Sequence, residues 1–182
     1  MNILIYRYGS ICEPDVITGF QALGNQVSEI TAEIYNKNLP PSEGVTLLKN
    51  ELLTYSYDFV FSINFFPFIS EVCNIFQIRY ICQTVDSPVM ELYSNSICNP
   101  WNRIFMFDKA QYDEFSPKNP AGIFHLPLAS NPARWESVIN NATPSQIDRY
   151  SGDVSFVGSL YTEKSPYRRL KNAPDYLTGY LD

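Results

Sequence analysis

Residues 80–88, Tyr-Ile-Cys-Gln-Thr-Val-Asp-Ser-Pro, decide the fold. The first part of this stretch is mostly apolar and β-branched or aromatic, which is typical of a buried strand, and Asp86-Ser87-Pro88 ends it with a turn. Asp86 therefore stands at the carboxyl end of a predicted strand, the edge at which open α/β sheets bind ligands. An Asp before Ser-Pro is also a common helix N-cap, whose carboxylate accepts hydrogen bonds from backbone N–H groups. The sequence leaves both roles open.

Strands and helices alternate on both sides of this stretch. Further apolar runs predict strands at residues 3–6, 27–30, 58–63, 103–107 and 122–126. Between them, apolar residues recur at helical spacing, as they do from Pro14 to Leu23. Such short connections are typical of βαβ units, which give a parallel sheet with right-handed crossovers. The sequence therefore predicts an α/β fold with a Rossmann-like parallel sheet of about six strands and helices on both faces.

The alternation stops after the sixth predicted strand. Several proline and asparagine breakers follow among scattered apolar residues, which is typical of a linker. A new apolar run then ends in Gly158-Ser159, as the first strand of another α/β domain would. We therefore expect a first domain at residues 1–130, a linker at 131–152, and at 153–182 the first strand and helix of a second, incomplete Rossmann-like domain.

The composition narrows the function. A net charge of −6 and a pI near 4.8 argue against nucleic-acid binding, because that affinity depends on Lys and Arg contacts to phosphates. The four cysteines have no Cys-x-x-Cys spacing and there is one histidine, so we predict neither a metal site nor a cofactor. The first apolar run is too short for a signal peptide or a membrane span. We expect a cytoplasmic protein that does not insert into a membrane.

Two titratable side chains stand at predicted strand ends. We predict Asp86 and His125, the only histidine, as catalytic residues, because both groups can transfer protons. Ser87, next to Asp86, is predicted to bind substrate. His125 also fits a half-buried structural histidine between its apolar neighbours.

Further substrate-binding candidates follow two other strands. Tyr8, Gly9 and Ser10 come directly after the first strand, although a tight turn would also explain the glycine. Asn64 and Phe65 end the third strand and could hydrogen-bond to and stack on a ligand. A helix cap and a core phenylalanine are the alternatives at these two positions.

Five short motifs, taken in order, resemble the bacterial glycosyltransferases with two facing Rossmann-like domains (the GT-B fold), in particular the spore-maturation, CgeB-like group. The motifs are Ser62-Ile63-Asn64-Phe65, Thr84-Val85-Asp86-Ser87-Pro88, Phe107-Asp108, His125-Leu126-Pro127-Leu128-Ala129 and Val154-Ser155-Phe156-Val157-Gly158-Ser159-Leu160-Tyr161. Gln83 departs from the family pattern, which often has an aromatic residue there. The resemblance implies a hexosyltransferase-type enzyme that needs no metal.

In that family the N-terminal domain mostly holds the acceptor and the C-terminal domain mostly holds the nucleotide-sugar donor. The resemblance therefore implies that this chain is the acceptor-side half, that its partners are a nucleotide-sugar and an unknown acceptor, and that Gly158 and Ser159 belong to the substrate-binding residues. We expect the 182-residue chain to be inactive by itself. The alternative is a stand-alone α/β module that binds a small ligand or a protein without catalysis.

Overall fold

The computed structural model describes residues 1–156 and 158 of the chain, which divides into two compact units, Met1–Pro132 and the part from Ala133 onward. The strands are β1 (Asn2–Tyr6), β2 (Gln26–Ile30), β3 (Phe59–Ile63), β4 (Arg79–Gln83), β5 (Asn102–Met106) and β6 (Ile123–His125). The α-helices are α1 (Glu13–Ala22), α2 (Ala32–Tyr35), α3 (Pro41–Thr54), α4 (Pro67–Phe76), α5 (Lys109–Phe115), α6 (Pro132–Asn140) and α7 (Pro144–Tyr150). Short 3₁₀ helices occupy Met90–Tyr93, Asn95–Cys98 and Ser116–Lys118.

All six strands form one parallel sheet in the order β2-β1-β3-β4-β5-β6. The predicted α/β fold is confirmed, and the predicted strand ends lie at one edge because parallel strands all point the same way. The chain runs outward from β1 to the edge strand β2, then returns to β3 on the other side of β1. The strand order therefore reverses between β1 and β3, which is where sheets of this kind open a crevice.

The core lies on both faces of the sheet because side chains of each strand alternate between them. On one face, Leu4 and Tyr6 of β1 belong to a large apolar cluster with residues of α3 and α4, including Leu48 and Ile69. The other face buries the alternate β1 residues in a smaller cluster under α1. All five residues of β3 are buried, as expected for a central strand covered on both sides.

The hydroxyl of Tyr80 lies at the centre of a buried polar network under the β3–α4 turn. Tyr80 is fully buried, and its hydroxyl accepts a hydrogen bond from the Phe66 N–H (2.9 Å) and lies 2.6 Å from the hydroxyl of Ser62. The Ser62 hydroxyl donates to the carbonyl of Asn64 (2.7 Å). Burial raises the pKa of Tyr80 well above its usual value, so the phenol stays neutral. These bonds satisfy backbone groups that the turn removes from the sheet.

The predicted linker contains helices. Pro132 and Pro144 are first residues of α6 and α7, a position that proline tolerates because its missing N–H would have no partner there. Thr143 and Gln146 form a reciprocal capping box at the start of α7. These two prolines therefore begin helices, although the sequence pattern predicted breakers at both positions.

The strand predicted from residue 153 is not formed in residues 153–156, where Asp153 and Val154 lie in a bend. Val154 and Phe156 are both exposed, so neither side chain is in a core. The rest of that run, apart from Gly158, lies outside the described residues.

We expect Tyr80→Phe to lower the free energy of unfolding by about 1–3 kcal/mol, because it leaves the Phe66 N–H without its buried partner. Urea unfolding followed by circular dichroism measures this change. The control is Tyr55→Phe, which removes the same hydroxyl from an exposed side chain and should change the stability by less than about 0.5 kcal/mol. Equal stabilities for the two variants would contradict the role of the Tyr80 network.

Candidate functional site

Three of the predicted site residues meet at the carboxyl edge of β1, β3 and β4. The Nδ2 of Asn64 donates to the carboxylate Oδ2 of Asp86 (2.6 Å) and to the hydroxyl oxygen of Tyr8 (3.0 Å). These side chains come from three neighbouring strands, and the contact between Tyr8 and Asn64 spans the point where the strand order reverses. We call Tyr8, Asn64 and Asp86 the edge triad.

The position of the Asn64 side chain is fixed by the backbone. Its Oδ1 accepts a hydrogen bond from the Val85 N–H (2.9 Å), which can only donate, so the amide NH₂ must face Tyr8 and Asp86. Asn64 has a φ of 58°, in the left-handed region that asparagine tolerates better than most residues. Its own N–H donates to the Gln83 carbonyl (2.8 Å). Asn64 therefore joins the ends of β3 and β4 through both its main chain and its side chain.

Asp86 is not used as a helix cap. The 3₁₀ helix that follows it begins at Met90, after Val89, and its start has no side-chain cap. The Asp86 side chain is exposed, and among the described residues its hydrogen-bond partner is Asn64, through Oδ2. The carboxylate is therefore held by one amide and is open to a ligand at Oδ1.

Tyr8 lies at the strand reversal and is half-buried. Burial is the largest cause of the raised pKa of its phenol, and the charges of Asp86 and Glu13 raise it further. Hydrogen bonds from the side chains of Ser10 and Asn64 oppose this rise. Tyr8 is therefore a neutral phenol at physiological pH, and its oxygen accepts a hydrogen bond from the Asn64 side chain.

A second polar cluster lies at the ends of β4 and β5. Asp108 caps α5 by accepting from the Gln111 N–H (2.9 Å). This bond is the main cause of the lowered pKa of Asp108, to which the Ser87 hydroxyl and the charge of His125 add. Gln111 donates from Nε2 to the carbonyl of Asp86 (3.3 Å), while its buried Oε1 has no hydrogen-bond partner among the described residues. The Ser87 side chain is exposed, and among the described residues no hydrogen bond joins it to the edge triad.

His125 lies two strands away from Asp86, at the end of β6. The separation is about 10 Å across the sheet, since neighbouring strands lie about 4.8 Å apart. Its Nε2 is 3.2 Å from the Phe107 carbonyl, and its ring is 5.8 Å from that of Tyr112. His125 is exposed, so it is not the half-buried histidine of the alternative reading. No hydrogen bond joins it to the edge triad among the described residues.

The prediction that Phe65 stacks on a ligand needs correction. Phe65 is 1% exposed and packs against Tyr80, so it is a core residue and is not placed to stack on a ligand. The half-buried ring of Phe66 instead lies 5.6 Å from that of Tyr8. The structure thus shows the core alternative at Phe65; the left-handed turn at Asn64 interrupts the strand alternation, so the sequence pattern did not determine which ring faces the site.

The β1–α1 turn contains the predicted residues Gly9 and Ser10 and one residue that the sequence analysis missed. Gly9 has a φ of +94°, and a Cβ there would lie 2.8 Å from the Lys37 Nζ. Glu13, the first residue of α1, is 1% exposed and receives hydrogen bonds from the turn. A glutamate just before a helix-starting proline was the available signal. Of the last two predicted residues, Gly158 lies in a bend of the second unit and Ser159 lies outside the described residues.

A surface cavity of about 450 Å³ lies at the opposite edge of the sheet, where β3, β4 and β5 begin. It is lined by Leu52, Tyr55, Ser56, Tyr57, Asp58, Phe76, Gln77, Ile78, Arg79 and Trp101. None of the predicted site residues lines it. We favour the carboxyl edge as the candidate site because its polar groups converge at the strand reversal, where open α/β sheets bind ligands, whereas the cavity lies at the amino ends of the strands.

In the part of the chain that the structure describes, no group of three or more His, Cys, Asp or Glu side chains could hold a metal ion. Within the same residues, no helix is long and apolar enough to cross a membrane. Among known proteins, no family model matches the chain and no curated protein matches its sequence.

We expect Asp86→Asn to lower the pKa of Tyr8 toward its usual value of 10.0, because the variant removes a negative charge that disfavours the phenolate. The pKa should stay above that value, since burial is unchanged. NMR titration of the ¹³Cζ resonance of Tyr8, assigned with Tyr8→Phe, measures the shift. The control is Asp113→Asn, which removes the same charge from an exposed side chain of α5. If Asp86→Asn changes the pKa of Tyr8 no more than this control does, the geometry of the edge triad is contradicted.

We expect Asn64→Gly to lower the free energy of unfolding by about 1–2 kcal/mol, because glycine accepts the left-handed backbone but loses the bond to the Val85 N–H. The matched variant is Gln77→Gly at the C-cap of α4, where φ is 53° and no side-chain hydrogen bond is given up. It should gain about 0.5–1 kcal/mol by relief of strain. Urea unfolding of both variants tests this, and a gain in stability from Asn64→Gly would refute it.

Proposed function

We propose that the unit Met1–Pro132 is the acceptor-binding half of a glycosyltransferase that moves a sugar from a nucleotide-sugar to a hydroxyl group of an acceptor. The observation that carries the proposal is the Asp86 carboxylate, which is exposed at the strand reversal and held by the Asn64 amide. Under this proposal the nucleotide-sugar is held by a second domain that faces the crevice, as the motif resemblance implies.

The chemistry requires a base for the acceptor hydroxyl in an inverting transfer. The acceptor oxygen attacks the anomeric carbon of the sugar, the bond to the nucleoside diphosphate breaks, and the hydroxyl proton moves to Asp86. The bond from Asn64 to Oδ2 orients the carboxylate and leaves Oδ1 for the acceptor. Preorganisation of this kind lowers the entropic part of the barrier.

The surroundings of Asp86 suit a hydroxylated acceptor. The Tyr8 phenol offers a hydrogen-bonding group beside the carboxylate, and its ring forms an apolar surface together with Phe66. Sugar rings have hydroxyl groups around apolar C–H faces, so they match a surface that combines both. Under the proposal, Phe66 stacks on the acceptor in place of Phe65, for which the sequence predicted this contact.

The proposal assigns the base to Asp86 alone. His125 is separated from it by β5 and stays next to Phe107 and Tyr112. A role for His125 in the reaction remains a prediction from the sequence. His125 would act at the end of β6, two strands away from Asp86. Ser87 follows Asp86 in the chain and stays a predicted substrate-binding residue.

The test uses the full-length protein that carries this chain, incubated with a panel of uridine, guanosine and thymidine diphosphate sugars and with simple glycoside acceptors, with nucleoside diphosphate release as the readout. We expect Asp86→Asn to lower kcat/KM by about 10²–10⁴-fold, because an amide cannot accept the proton. Its melting temperature should stay within about 2 °C of the wild type, since the asparagine oxygen still accepts from Asn64.

The matched control is Asp113→Asn, which removes a carboxylate from an exposed pair with Lys109. Exposed pairs contribute little to stability, so this variant should keep both its melting temperature and its turnover. Unchanged turnover in a stable Asp86→Asn protein would refute the assignment of the base. The stand-alone binding module would be favoured by two results together: the protein turns over no nucleotide-sugar, and it binds a neutral glycoside that Asp86→Asn no longer binds.

A further inference from the structure

The carboxylate of Glu13 is buried inside the β1–α1 turn and is bonded on several sides. Its Oε1 accepts from the backbone N–H groups of Tyr8 (2.9 Å) and Gly9 (3.0 Å). Its Oε2 lies 3.2 Å from the Gly9 nitrogen and accepts from the Arg7 Nε (3.0 Å). Glu13 is 1% exposed. Two main-chain donors and one guanidinium therefore converge on an anion that belongs to the chain itself.

Doubly wound α/β sheets commonly bind phosphate at the turn that corresponds to the β1–α1 turn of this chain. In those sheets the first strand-to-helix turn offers backbone N–H groups to the ligand, and the dipole of the following helix favours a negative charge. Here Glu13 is the first residue of a ten-residue helix, so its carboxylate lies where the dipole is most favourable. The interactions that would bind a phosphate are made with Glu13 instead.

Several neighbouring donors and two nearby cations are also engaged. The N–H groups of Cys12 and Glu13 bond to the side chain and carbonyl of Ser10, and Pro14 has no N–H to offer. Arg7 pairs with a second carboxylate, Glu29 (2.5 Å).

Lys37 donates to the carbonyl of Tyr8, at the same turn. A phosphate approaching this turn would therefore meet the Glu13 carboxylate at contact distance, with the adjacent cations already in use.

We propose that Glu13 determines specificity by acting as a built-in anion that closes the first strand-to-helix turn to phosphate groups. A ligand of the crevice is then uncharged where it passes this turn, and under the proposed function the acceptor presents neutral hydroxyl groups beside Tyr8. That last consequence rests on the proposed function, whereas the closure of the turn does not. A phosphate titration tests the closure whether or not the protein transfers sugars.

The experiment measures the thermal unfolding midpoint of the chain in 50 mM sodium phosphate and in sodium chloride of equal ionic strength and pH. The wild type should show a difference below about 1 °C, because its turn is filled. Glu13→Ala should be less stable in chloride and should gain about 5 °C or more in phosphate, because the vacated N–H groups and Arg7 bind the ion in the folded state only. If Glu13→Ala is unfolded in chloride, phosphate should restore its helical circular dichroism.

Two matched variants separate the possible causes. Glu13→Gln removes the same charge but keeps the space filled, so it should respond to phosphate no more than the wild type. Glu29→Ala releases Arg7 from its exposed partner and leaves the turn closed, so it should not respond either. Three results would each overturn the proposal. They are an equal phosphate response in Glu13→Ala and Glu13→Gln, a wild type that phosphate stabilises by several degrees, and a Glu13→Ala variant that phosphate leaves unfolded.

Discussion

The hydrogen bond between the Phe66 N–H and the buried Tyr80 hydroxyl is the constraint on which the candidate site depends. It ends the β3 ladder and supports a turn in which Asn64 takes a left-handed backbone conformation. Only in that conformation does the Asn64 side chain bridge the Val85 N–H on one side and the Asp86 carboxylate on the other. A polar group in the core thus determines the geometry at the surface, because a buried N–H must find a partner and tolerates few alternatives.

The sequence was sufficient for the sheet but not for the turns. Apolar runs separated by helical periodicity predict parallel strands, and parallel strands place Tyr8, Asn64 and Asp86 at one edge, as observed. Periodicity carries no information on a single left-handed residue, and Asn64 therefore left the direction of Phe65 ambiguous. The burial of Glu13 depends on Arg7 and on two backbone N–H groups, contacts that no spacing rule encodes. The prolines of the predicted linker were misleading because a proline that ends one helix and a proline that begins another look alike.

Glu13 and Asp86 carry the same kind of carboxylate, but their different environments give the two side chains different roles. Glu13 is desolvated and fully hydrogen-bonded, so its negative charge serves to hold the turn together. Asp86 has one amide partner and an exposed side chain, so its charge stays available to a ligand. A buried ion bonded in this way tolerates the loss of water only because each oxygen has partners, whereas an exposed one needs none. The composition of the crevice alone would not distinguish the two residues.

The edge triad also has a consequence for the order in which the protein becomes functional. Its two contacts join residues that are 56 and 22 positions apart in the chain, so neither can form within a local segment. Long-range contacts of this kind appear only after the intervening chain has closed into a loop. A chain in which β3, β4 and β5 are paired but β1 has not docked would have half of the six strands and would lack the contact between Tyr8 and Asn64. A ligand that requires all three side chains would therefore recognise only chains in which β1 has joined β3 and β4.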